Sequence, residues 1–262
     1  VECFTRVLER DALHSQAYQS LETLLVVNSR WEELAKLYIL RSGAVVELPQ
    51  RVELLVKSAH ILGERLKRFG AAADAYERVL GLVPNHTGAL LQLGHLRYAL
   101  QEWDGAVQAY LQLTQVAGDP MMLVPVHENL GVIFSEHRVD PMRAIQHLTS
   151  CLAMQPDNRD AKKRIARCYA LSGSPAQALA AFRSLVDTAT DRKEKHELHL
   201  VLAKLFEQSF NDLQNATAPL ELAMAEADDG GERPRLIDAI AALYERSGNL
   251  QRFMEAWAKQ AE

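Results

Sequence analysis

Little in this sequence is suited to catalysis or to a membrane. No apolar run approaches the ~18 to 20 residues that cross a bilayer, and the opening VECFTRVLERD does not read as a signal peptide. Aromatic residues are only 6% of the 262, and with alanine and leucine abundant, helices are favoured over strands. A net charge of −5 leaves no basic footprint for nucleic acid. Three cysteines without motif spacing point to a reducing compartment, so a cytoplasmic location is expected. Cys151 and Cys168 read as small packed thiols in the interior.

Catalytic and metal-binding patterns are lacking as well. Gly118 in GDP and Gly230 in DDGG precede helices without the spacing of a phosphate-binding loop. His196 and His199 in HELH are three apart, not the four of HExxH, and no third ligand stands nearby; a solvated helix face accounts for both. The acidic pairs Glu32–Glu33 and Asp228–Asp229 read as exposed charge. No enzyme activity, cofactor or metal is expected of this chain.

What is present is a repeat, carried by a hydrophobic content of 48%. Its clearest copy runs from Ala89 to Gly118, with Leu93-Gly94, Trp103, Ala106, Tyr110 and Leu113 as skeleton. Small residues at Gly94 and Ala106 let two helices approach, and large apolar residues fill the space beside them. A small residue followed four later by a large one recurs as Leu34/Tyr38, Ala72/Tyr76, Ala106/Tyr110, Ala144/Leu148, Ala178/Phe182, Ala216/Leu220 and Phe253/Trp257, with Leu34 and Phe253 standing in the outermost copies where alanine is expected. Successive copies are 38, 34, 38, 34, 38 and 37 residues apart. In the first helices the matching small position is Gly94, Gly131, Ala166, Ala203 and Ala241, with His60 and Glu22 as departures. It lies 12 or 13 residues ahead of the second-helix position in every copy. His60 is therefore expected in the interior or half-buried. Pro84 and Pro156 end second helices at the short junctions. The longer junctions, SGAVVELPQR, VAGDPMMLVP, VDTATDRKEK and EADDGGERPR, predict loops along one edge or helices lengthened by a turn.

These features resemble the tetratricopeptide repeat family across essentially the whole chain. Leu93, Gly94, Trp103, Ala106 and Tyr110, then Ala72, Tyr76 and Pro84, match its degenerate motif; so do Ile165, Ala166, Tyr169, Gly173, Ala178 and Phe182. The resemblance implies an all-α, right-handed α-α superhelix of about seven helix-turn-helix units at about 15–45, 50–84, 86–118, 122–156, 159–190, 194–228 and 233–262. Residues 1–11 read as an orphan second helix, since FTRVLERDALH aligns with YERVLGLVPNH. A single solenoid segment excised from a longer protein is expected, with self-association through its ends possible.

The family's groove is lined by first helices, which here present Lys57 and Arg65, then Leu91, His95 and Tyr98, then Asn129, then Lys163, Arg164 and Arg167, then Lys204. Arg159, Lys163 and Arg167 form a row with no opposing acid among them, while Asp160 can pair with Arg164. Such a ridge beside an aromatic-histidine patch suits an acidic or amphipathic peptide. The clamp that some members use to seize a C-terminal carboxylate is absent, because Leu91, His95 and Asp160 replace its polar residues. A protein-interaction scaffold, binding in the groove or along the edge, is the expected function. The alternative is the recognition or regulatory arm of a larger enzyme or transcriptional regulator. RNA binding is disfavoured, because equivalent positions do not carry the same polar side chains.

Overall fold

A computed structural model describes residues 1–227, 232–249, 251–252 and 254–255. The described residues form helices and no strands. In chain order these are α1 Glu2–Arg10, α2 Ser15–Val27, α3 Trp31–Ala44, α4 Leu48–His60 continued by a π turn over Ile61–Arg65, and α5 Phe69–Leu82. Next come α6 Thr87–Ala99, α7 Trp103–Val116, α8 Pro120–Val132 continued by a π turn over Ile133–His137, α9 Pro141–Met154 and α10 Arg159–Leu171. The last four are α11 Pro175–Asp187, α12 Arg192–Ser209, α13 Leu213–Glu226 and α14 Glu232–Arg246. The chain divides into two compact units, Val1–Val126 and His127–Glu262. Each is an all-α solenoid segment in which consecutive helices pack together. The expected final pair Phe253/Trp257, the acids Asp228–Asp229 and Gly230 lie outside the described residues.

The deeper repeat is a block of four helices. α2, α6 and α10 begin at Ser15, Thr87 and Arg159, each 72 residues after the last, and α4, α8 and α12 begin at Leu48, Pro120 and Arg192 with the same spacing. The cap that starts the first series repeats too. His14 Nδ1 accepts from the Ala17 N–H at 3.2 Å, His86 Nδ1 from Ala89 at 3.0 Å, and Asn158 Oδ1 from Ala161 at 3.0 Å. Each satisfies one of the orphan donors at a helix start.

Within each block the two helix pairs differ. α2, α6 and α10 are 13 residues long, whereas α12, and α4 and α8 with their π turns, span 18. Among the described residues the linkers between repeats are short, three residues at 45–47 and 117–119 and four at 83–86 and 188–191. At the first three longer junctions the extra residues therefore went into helix, not into projecting loops; the fourth includes residues outside the described ones. The short pairs close with one wide bond, as from Arg30 to Leu25 O at 2.8 Å and Glu102 to Arg97 O at 2.9 Å. The long pairs close wider, with Arg68 donating to Leu62 O at 2.8 Å, Asp140 to Phe134 O at 2.8 Å and Asp212 to Phe206 O at 2.9 Å. That bulge absorbs the residue by which 13 exceeds 12.

Every turn within a pair bends through one left-handed residue: Ser29, Lys67, Gln101, Val139, Gly173, Asn211 and Gly248. Glycine takes that conformation freely and asparagine tolerably, but Val139, at φ 49°, is strained by its branched side chain.

The close contacts lie where the sequence puts small residues. A Cβ on Gly94 would strike the Tyr110 ring, and one on Gly131 would stand 2.5 Å from Leu148. Ala72, Ala106, Ala144, Ala178 and Ala216 have no exposure at all. One assignment needs correction. His60 is exposed, and the packed small residue is its neighbour Ala59, so the spacing to Ala72 is 13 as in the other long pairs. The bulged end of α4 moves the register by one. Glu22 departs from the pattern for a different reason: its carboxylate accepts the Tyr38 hydroxyl at 2.7 Å, replacing ring-on-glycine contact by a hydrogen bond.

Cys151 and Cys168 are buried free thiols, and burial raises both, Cys151 to about 11.

Candidate functional site

The first-helix faces are where amphipathic helices leave polar and apolar side chains unused by the paired second helix. In the first unit these positions are engaged locally. Lys57 on α4 pairs with Glu53 at 2.7 Å and lies 6.0 Å from the Tyr38 ring centre, and Arg65 sits 5.2 Å from that of Trp31. On α6, Leu91, His95 and Tyr98 are half-buried. His95 meets the Tyr110 ring edge-on at 6.0 Å, and burial lowers its pKa. Tyr98 is edge-on to Trp103 at 5.4 Å, so the aromatic-histidine patch belongs largely to internal packing.

In the second unit the expected cationic row is broken up by acids from neighbouring segments. Arg159 and Lys163 share Glu194 of α12, at 3.0 and 2.6 Å, and hold that carboxyl below its ordinary range. Arg159 also donates to the carbonyls of Leu185 and Thr188. Arg164 pairs with Glu136, not with Asp160. The uncompensated row of three is therefore corrected to a compensated network from which Arg167 is left out. Asn129 and Arg164 do line one open cleft of about 190 Å³, together with Glu128, Asp160 and Leu148. Two acids in that lining make it a poor receptor for an anion.

Arg167 and Lys204 come together elsewhere. Both are exposed, and among the described residues neither makes an ion pair. They line a trough of about 300 Å³ between α10 and α12, with Leu171 and Val201 on its walls and Phe182 of α11 contributing from below. Leu171 is 65% exposed, which leaves most of its side chain open to a ligand. Two free cations over an apolar floor can bind carboxylates by charge-assisted hydrogen bonds while burying the apolar part of the same ligand. Leu171 and Val201 were missed in the sequence. A signal existed for Val201: the positions 72 residues apart, Lys57, Asn129 and Val201, change from polar to apolar.

The two histidines of HELH are not on a solvated face. His199 is buried, its Nδ1 2.8 Å from a Glu226 carboxylate oxygen, and half-buried His196 places Nδ1 2.8 Å from the Ala223 carbonyl. Among the described residues no cluster of three or more potential ligands could hold a metal, and no helix is long and apolar enough to cross a membrane.

Two family models, both described as tetratricopeptide repeat, match residues 64–120 and 140–205. No curated protein matches significantly. Among solved structures, the chain is similar to YrrB, described as a TPR protein with an unusual peptide-binding site, at 14% identity over 68% of this chain and 87% of that one, TM-score 0.55. It is similar over 90% of its length, and 92% of the other's, to the C-terminal part of a TPR repeat-containing protein from Cytophaga hutchinsonii, at 14% identity and TM-score 0.58. A chain of a Naa15/Naa10 complex bound to HypK-THB matches 92% of this chain at 15% identity and TM-score 0.64, and this chain spans 36% of it. Identities this low speak for the fold alone.

Proposed function

We propose, from the premise that this chain belongs to the tetratricopeptide repeat family, that it is an interaction scaffold whose α10–α12 trough takes an acidic, amphipathic segment of a partner protein. Proteins of this family are in general non-catalytic and bind proteins or peptides. The finer reading is carried by one observation: among the described residues Arg167 and Lys204 have no ion-pair partner, and they stand over the apolar surface of Leu171, Val201 and Phe182. Elsewhere along α10, Arg159, Lys163 and Arg164 already have carboxylates, so an incoming acid gains more at this pair than at those three. The apolar walls supply affinity and the cations orient the segment.

A fluorescein-labelled amphipathic peptide with glutamates on one face and leucines on the other tests this. Arg167→Glu/Lys204→Glu is expected to weaken its binding at least tenfold with the melting temperature unchanged, and raised salt is expected to weaken the unaltered protein's binding. Equal affinity before and after the double reversal would remove the trough from consideration.

A further inference from the structure

A second recess lies in the first unit, on the side of the second helices. A cleft of about 270 Å³ opens between α1 and α3 over α2, walled by Leu8, Leu21, Leu25, Leu37 and Leu40. Leu40 is 49% exposed at its rim. The charges beside it are engaged: Lys36 pairs with Glu32 at 3.2 Å and Glu33 with Arg30 at 2.5 Å.

The same recess recurs along the repeat, and the other copies show what the fold puts there. Position 25 of α2 corresponds to Arg97 of α6 and Tyr169 of α10, at steps of 72 residues, and through the matching turns to Tyr244 of α14. Position 5 of α1 corresponds to Glu77, Thr149 and Glu221. Arg97 bonds both Glu77 and Glu102, and its stem lies over Gly105 so closely that a Cβ there would stand 2.5 Å from it. Tyr244 donates its hydroxyl to Glu221 at 3.0 Å. The space left in that copy, bounded by Glu221, Met224, Ile240 and Tyr244, is about 70 Å³. In the Arg97 and Tyr244 copies a long side chain from the first helix fills the slot, and a glutamate on the preceding second helix holds its polar tip; in the third copy Tyr169 is half-buried and Thr149 takes the glutamate's position.

In the first copy Leu25 stops short, and Thr5 replaces the glutamate. The recess, at about 270 Å³ against about 70 Å³, is the larger of the two. With no carboxylate at position 5, and Glu33 at the rim already paired with Arg30, a guanidinium entering from outside lacks the partner that Glu77 gives Arg97, whereas a ring needs only the leucine walls and a hydrogen-bond partner at the rim. We propose that the α1–α3 cleft seats one aromatic side chain of a partner protein, in the place that Tyr244 occupies from within the chain in its own copy. This site is independent of the α10–α12 reading.

Leucine-methyl NMR with p-cresol, the tyrosine side-chain analogue, gives the first test. Saturable shifts are expected at Leu8, Leu37 and Leu40, and none with n-propylguanidinium. Leu25→Tyr, which supplies the ring internally, is expected to weaken p-cresol binding at least tenfold. Should that variant lose its dispersed methyl spectrum, Leu40→Glu at the rim serves instead. Panning the protein with displayed twelve-residue peptides is expected to return sequences carrying Tyr, Phe or Trp. Their binding is expected to fall at least tenfold in Leu25→Tyr and to be unaffected by Arg167→Glu/Lys204→Glu. No saturable p-cresol shift, equal response to propylguanidinium, selected peptides without an aromatic, or undiminished binding in folded variants would each overturn the assignment.

Discussion

The α6–α7 pair and the α8–α9 pair solve the same packing problem with different lengths of chain. In the first, a 13-residue helix sets Gly94 against the Tyr110 ring and closes through Gln101. In the second, 13 residues of α-helix run on into a five-residue π turn, Gly131 meets Leu148, and the turn passes through Val139. A small residue facing a large one is common to both. The wider turn of the long pair absorbs an added residue without moving that contact, because a π bulge shifts the helix phase locally and then restores it. Contact geometry is thus held, and turn geometry is free to vary.

The comparison is broken most severely by emptying the shared contact. Tyr110→Ala is expected to cost about 3–5 kcal/mol and Leu148→Ala about 2–5 kcal/mol in urea unfolding. A loss below 1 kcal/mol in either would mean the two contacts are not equivalent. The corrected register comes next. Ala59→Leu is expected to cost about 1–3 kcal/mol by overpacking. His60→Leu, one residue along, should stay within about 0.5 kcal/mol; the reverse order would restore the register read from spacing alone.

A pH effect separates the pairs further. In the long pair, His147 is buried, its Nδ1 3.2 Å from that of His127, stacked 5.6 Å from Phe134, with Arg143 above that ring. Burial first, then the charges of His127 and Arg143, pushes His147 down to about 4. The unfolded chain then binds more protons, so stability is full above pH 6.5 and is lost as pH falls from 6.5 toward 4. A loss of about 3 kcal/mol between pH 7 and pH 4 is expected, and His147→Phe should abolish most of it. A flat pH profile in the unaltered protein would contradict the neutral histidine pair. The smallest effects concern the turns. Gly173→Ala is expected to cost about 1 kcal/mol, and Val139→Gly to gain about 0.5–1 kcal/mol, both read from thermal melts. Val139 is 72% exposed, so its removal forfeits little packing.

Much of this was legible in the residues. Gly94, Gly131 and the buried alanines announced the helix contacts because steric fit at a close approach admits few side chains. The His60 assignment failed because a one-residue bulge in α4 leaves no compositional mark. The longer junctions were ambiguous for a related reason: glycine and proline near a boundary signal that a helix begins, not how long it runs. The candidate site was only half readable. Arg167 and Lys204 stood out as cations on first helices, but Glu194 and Glu136, which neutralise their neighbours, come from distant parts of the chain.

By itself, then, the sequence determined the repeat, its rhythm, the helical class and the positions where helices touch, all of which follow from local periodicity and side-chain volume. Only the tertiary structure decided which charges remain free and which recesses remain open. Those depend on what a side chain meets across 20 to 40 residues of intervening chain, as Arg97 meets Glu77 and Arg68 meets Glu32. Whether a cation is spent on an internal carboxylate or kept for a partner is a property of that meeting, and no local pattern encodes it.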